Sequence, residues 1–220
     1  MLALGLYERV MLVDEATGEE KWTVHSHDVT DVAMERFRSR TMVAMSPDGR
    51  VVLSAQTFGE NWMLWEAADG TQKMAGAKHG AGACICEVDE LGHRVVQEGC
   101  PVVAHTAGIR AVAFSPCGRR FATAAGDHDR EVIIWDAQTG EAEQRLRPEM
   151  GQNRCTSISF SADGTRLASG CLDPSMRVWD PATGALLQTI TKVQTDYVTR
   201  GPKVLFFSPA DNRIFVSVAR

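Results

Sequence analysis

The chain has 220 residues, 44% of them hydrophobic, which is enough for one sizeable core and one domain. No apolar run approaches the roughly 20 residues that span a bilayer, and a formal charge of −5 argues against a broadly basic nucleic-acid surface. Met1 to Leu6 lacks the basic start of a signal peptide, and six cysteines without an Asn-x-Ser/Thr sequon suggest reduced thiols in an intracellular protein, cytoplasmic or nuclear.

Short apolar runs bounded by Pro, Gly, Asp or Ser recur along the chain and predict strands joined by tight turns. Glu8 to Glu19 has the pattern of Arg130 to Glu141, with Val13 where Trp135 stands. Residues 8–25 therefore read as the third and fourth strands of a four-stranded meander whose first two strands are missing. Residues 26–75 read as a full meander with Ser46-Pro47-Asp48-Gly49 as its first turn, Val51 to Ala55 as its second strand and Asn61 to Trp65 as its third. His25 precedes Ser46 by 21 residues, whereas His105 precedes Ser115 by 10. The triplet Val-Ala-Met also occurs twice, at 32–34 and 43–45, so a loop insertion is expected over 34–44. Its three arginines read as a solvated loop.

Residues 76–104 are rich in Gly, Ala and Cys, yet they keep register: His79 precedes Gly92 by 13 residues, as His105 precedes Gly118. That predicts a half meander with strands at Cys84 to Val88 and His93 to Gln97. The most regular unit is 105–147. It runs from His105 through Ile109 to Phe114, the turn Ser115-Pro116-Cys117-Gly118, Phe121 to Ala125, the polar knot Gly126 to Asp129, and Glu131 to Trp135-Asp136. Ala137 to Gly140 then turns the chain into a strand ending near Leu146. Residues 151–191 repeat it, with Trp179 44 residues after Trp135. Residues 202–220 hold two strands, Val204 to Phe207 and Ile214 to Val218.

Two chemical readings are weighed and set aside. His79, Cys84, Cys86, His93, Cys100 and His105 are zinc-type ligands, but Cys-x-Cys is not a zinc-knuckle spacing and alternation favours buried cysteines, so no metal is expected. Gly76 to Gly82 is glycine-rich but precedes a strand, so it fits neither a phosphate loop nor a dinucleotide turn, and no cofactor is expected.

The ordered marks, Ser-Pro-x-Gly, an Asp six residues before a Trp, Trp-Asp and Thr-Gly, resemble the WD40-repeat family. The resemblance implies an all-β fold, a β-propeller of four-stranded antiparallel blades, small or incomplete, with about four blades plus a half blade in one domain, 1–220. Because the N-terminus offers third and fourth strands and the C-terminus first and second, the termini are candidates to complete a shared blade. An incomplete propeller, or part of a larger one, is the preferred expectation.

In the family, a His, a hydroxyl, an Asp and a Trp form a buried tetrad. Carried over, this nominates His105, Thr123, Asp129 and Trp135, and a smaller set at Ser169, Asp173 and Trp179. The same residue types suggest a hydrolase-like triad, but Thr123 among backbone strands is read as structural. The family's docking positions nominate Arg110, His128 and Leu172 as protein-binding. The implied function is a non-catalytic protein-interaction scaffold that uses neither nucleic acid nor membrane. A propeller enzyme or small-ligand binder, and a sensor segment of a larger protein, are the alternatives.

Overall fold

A computed structural model describes residues 1–6, 9–25, 40–57, 62–76, 87–88, 94–95, 105, 107–126, 129–147, 155–171, 175–191, 204–208 and 213–217. Every regular element among them is a strand. β1 (Leu2–Leu6), β2 (Arg9–Val13) and β3 (Glu20–His25) form an N-terminal sheet. β4 (Thr41–Met45), β5 (Val51–Gln56), β6 (Trp62–Glu66) and β7 (Gln72–Ala75) form a second. β8 (Glu87–Val88) and β9 (Arg94–Val95) pair separately.

The third sheet is β10 (Ile109–Phe114), β11 (Arg120–Ala125), β12 (Val132–Asp136) and β13 (Ala142–Leu146). The fourth is β14 (Cys155–Phe160), β15 (Leu167–Cys171), β16 (Met176–Trp179) and β17 (Leu186–Ile190). β18 (Val204–Phe207) and β19 (Ile214–Ser217) form a C-terminal pair. All neighbours are antiparallel and follow chain order, so each of the three four-stranded sheets is the meander expected.

Turn chemistry fixes the registers. In the first hairpin of the second, third and fourth sheets the glycine of the turn has a φ of 69° to 70°, and its N–H donates to a serine carbonyl three residues back at 2.9 Å. Only glycine takes that conformation without a steric penalty. Ser46, Ser115 and Ser161 then accept backbone N–H bonds from five residues on, closing each hairpin.

The sheets stack face to face in one series: β1 on β4, β4 and β5 on β10, β10 and β11 on β14, and β14 and β15 on β18. Alternating residues supply the packing. Phe121, Ile133 and Trp135 of the third sheet meet Leu53, Ala55, Trp62 and Leu64 of the second. Ala122, Ala124, Val132 and Ile134, on its other face, meet Ile158, Leu167 and Trp179 of the fourth. Small side chains permit close approach. Gly5 lies so near the Thr41 carbonyl that any Cβ would collide with it.

Three expectations are corrected. Leu2–Leu6 pairs with Arg9–Val13, so the N-terminal sheet has a second strand that the sequence reading of 8–25 left out. The run carries none of the turn marks, and its alternation of Leu with Ala3 and Gly5 is what makes it a strand. The second position is therefore filled at both ends, because β18 packs on β14 and β15 as β14 packs on β10 and β11, which marks β18 and β19 as first and second strands. This removes the shared-blade arrangement of the termini.

The inserted loop placed at 34–44 does not reach 44, since Thr41 to Met45 is β4, paired with Gln56 to Val52. Finally, Glu87–Val88 and Arg94–Val95 do pair, inside the two strands expected of the half blade, but they do not separate the second sheet from the third. A Cβ on Gly118 would lie 3.5 Å from Pro47 Cδ, and one on Gly164 3.6 Å from Pro116 Cδ. The second sheet thus meets the third as the third meets the fourth.

Candidate functional site

The third sheet gathers the polar residues that the sequence singled out. Thr123 lies on β11 and Trp135 on β12, in diagonal positions, since Phe121 pairs with Trp135 and Thr123 with Ile133. The indole Nε1–H donates to Thr123 Oγ1 at 2.8 Å. His105 precedes β10, with its Nε2 2.7 Å from the same hydroxyl and its Nδ1 3.1 Å from Asp129 Oδ2. One assignment uses every proton once: indole to hydroxyl, hydroxyl to Nε2, and Nδ1–H to the carboxylate. His105, Thr123 and Trp135 are buried, and the Asp129 side chain is nearly so. The hydroxyl is closed to any substrate and already bonded on both sides, so the set links strands rather than presenting a nucleophile.

The fourth sheet repeats the core of this arrangement with Trp179 Nε1–H on Ser169 Oγ at 2.9 Å, while Asp173 lies outside the described residues. The second sheet repeats it too: Trp65 Nε1–H donates to buried Ser54 Oγ at 2.8 Å. Sequence reasoning passed over Ser54 because Gly59 stands in the place of Asp129. The signal was present, as the hydroxyl precedes its Trp by 11 residues here, against 12 and 10 in the other two sheets.

Comparison with known proteins finds the same repeat. The family model described as "WD domain, G-beta repeat" matches residues 99–136 and 145–180. Those two segments are WD40 repeats. The chain is 34% identical over 79 residues to the coronin-like protein crn1 of Schizosaccharomyces pombe, covering 36% of this chain and 12% of that protein. To the small ribosomal subunit protein RACK1y of Oryza sativa subsp. japonica it is 31% identical over 142 residues, covering 62% of this chain and 33% of that one. To WD repeat-containing protein 1 of Bos taurus it is 34% identical over 88 residues, covering 40% and 14%. The chain thus spans at most a third of these relatives.

In these WD40 repeats the Asp after the Trp caps the next turn. Asp136 Oδ1 accepts the N–H groups of Gln138 and Thr139, both at 2.7 Å, and Asp180 Oδ1 those of Ala182 and Thr183 at 2.8 and 3.4 Å. The Thr139 amide, before the other contacts, holds the Asp136 carboxyl below its ordinary value, and the Ala182 amide does the same for Asp180.

Of the three nominated docking residues, Arg110 is described, whereas His128 and Leu172 lie outside the described residues. Arg110 is the second residue of β10, at the same end of the sheet as His105 and Asp129. Its stem crosses Gly126, where a Cβ would sit 2.9 Å from Arg110 Cγ. The same end holds an ion cluster that the sequence did not reveal: buried Glu131 accepts from Arg145 Nη1 at 2.9 Å and from Arg147 Nε. Of the sulfur and imidazole cluster, His79, Cys84, Cys86, His93 and Cys100 all lie outside the described residues. Among the described residues no group of three His, Cys, Asp or Glu side chains is arranged to hold a metal.

Proposed function

We propose that this chain is a non-catalytic scaffold that docks protein partners on the end of its sheets where Arg110 stands, with His128 and Leu172 as further nominated contacts, inside the cell and without a cofactor. The observation that carries the reading is the burial of His105, Thr123 and Trp135 in one mutually bonded set. The side chains with catalytic potential are occupied in holding the sheet, which leaves loops and strand ends to meet other molecules. Support also comes from the relative RACK1y, which is named as a small ribosomal subunit protein and hence as a member of an assembly.

Affinity capture with the wild-type chain, Arg110→Ala and Arg50→Ala tests it. Arg50 follows the turn at the opposite end of the second sheet. A partner held by wild type and Arg50→Ala but lost from a folded Arg110→Ala supports the assignment. Equal retention by all three contradicts it.

A further inference from the structure

The fourth sheet departs from the third at one buried spot. In the third, Ile109 pairs with Ala125 just before a register shift and Ile133 stands opposite Thr123, all three apolar side chains being fully buried. In the fourth, the same places hold Cys155, paired with Cys171 before the matching register shift, and Arg177, opposite Ser169. These are buried too, at 2%, 0% and 7% exposure. Two thiols and a guanidinium thus occupy a place that isoleucine and alanine fill in the neighbouring sheet.

The two Sγ atoms lie 3.5 Å apart, and both cysteines are reduced. Direct partners on antiparallel strands have Cα atoms about 4.5 or 5.5 Å apart, inside the range of about 4.4 to 6.8 Å that disulfides span. Closing the sulfurs to a bonded distance of about 2.05 Å therefore takes side-chain rotation and no displacement of the strands. Arg177 Nη1 donates to Cys171 Sγ at 3.2 Å. The thiolate is the reactive form of cysteine and an adjacent guanidinium favours it, which singles out Cys171 as the attacking sulfur. The same positive charge disfavours a metal cation between the two sulfurs.

We propose that Cys155 and Cys171 are a peroxide-responsive dithiol, in which Cys171 attacks and Cys155 resolves, giving a disulfide that fastens β14 to β15. In the first step the Cys171 thiolate attacks one oxygen of hydrogen peroxide. An S–O bond forms, the O–O bond breaks and hydroxide leaves, so that Cys171 becomes a sulfenic acid. In the second, the Cys155 sulfur displaces that oxygen: the S–S bond forms, the S–O bond breaks, and the Cys155 thiol proton leaves with the oxygen as water. The two sulfurs give up two electrons, the peroxide accepts them, and a small dithiol reductant reverses the change. Burial restricts the oxidant to a molecule as small as a peroxide. The inference is independent of partner docking near Arg110.

The test treats the reduced chain with hydrogen peroxide, alkylates the remaining thiols after denaturation and maps the peptides by mass spectrometry without reduction. Cys117→Ser is carried alongside to remove the exposed thiol. In both chains the Cys155 and Cys171 peptides are expected to appear joined, two hydrogens lighter than their sum, and to separate again on adding dithiothreitol. Arg177→Met, with circular dichroism confirming its fold, is expected to form the bond at least tenfold more slowly, and Arg177→Lys to recover most of the rate. Recovery of Cys155 and Cys171 as two alkylated thiols would overturn the proposal. So would their separate oxidation to sulfinic acids, or bridging of either to Cys84, Cys86, Cys100 or Cys117. An unchanged rate in Arg177→Met would overturn the part given to the guanidinium. Should that variant fail to fold, the peptide map of wild type still decides the pairing and the rate in Arg177→Lys the need for charge, a loss there contradicting it.

Discussion

The Trp62 indole meets Phe121 edge to face with ring centroids 4.8 Å apart, although 59 residues of sequence separate them. Trp135 completes the cluster at 5.2 Å from Trp62. This contact locks the second sheet onto the third across residues 77–104. Trp62→Ala is expected to cost about 3 to 5 kcal/mol in denaturant unfolding, the range for truncating a large buried aromatic. Replacing residues 80–102 by a short Gly/Ser linker is expected to leave the unfolding midpoint close to wild type. A collapse on that replacement would show that the segment holds the two sheets together.

Thr123 is the hub of its network, accepting from Trp135 and bonding His105. Thr123→Val keeps the shape and removes both bonds, leaving buried polar groups unpaired at about 1 to 3 kcal/mol. Thr123→Ser is expected to recover most of that, as the native serines at 54 and 169 already do this work. Urea unfolding of the two variants checks it, and equal losses would contradict it.

Asp136 carries a folded-state pKa below its unfolded one, first because of the Thr139 amide. A depressed carboxylate contributes stability that is present above the unfolded value of about 4 and is lost as the pH falls through the folded value. Asp136→Asn is therefore expected to show a smaller fall in melting temperature than wild type between pH 5 and pH 3. Parallel falls would contradict this.

Cys117 stands where Asp48 and Asp163 stand in the neighbouring hairpins, and it meets Ser115 Oγ at 3.4 Å. That hydrogen bond, the largest influence, and the Arg119 amide lower the thiol from its ordinary value. Alkylation near pH 8 is expected to modify exposed Cys117 well before buried Cys155 and Cys171, and more slowly in Ser115→Ala. Mass spectrometry of the modified peptides decides this, and simultaneous labelling of all three would contradict it.

Much of this was readable from residues alone, because turns and indoles are local marks. The Ser-Pro-x-Gly hairpins, the capped turn after Trp135 and the strands of 105–146 follow from side chains acting within a few residues of themselves. Leu2–Leu6 went unread because it bears no such mark, and Val13 replaces the Trp that would have drawn attention to its partner. Residues 76–104 matched the spacing of His105 and Gly118 but not their surroundings. Local punctuation can predict a hairpin, whereas whether a hairpin enters the stack depends on faces such as those of Trp62 and Phe121, far apart in sequence.

The central claim is that the buried polar set maintains the fold while the strand ends near Arg110 meet the partner. Measuring unfolding free energy and partner binding together for Thr123→Val and Arg110→Ala separates the two roles. The account predicts that folded Thr123→Val loses stability and keeps the partner, while Arg110→Ala keeps stability and loses the partner. Partner loss from Thr123→Val at a temperature where it is fully folded, with binding by Arg110→Ala intact, would contradict it.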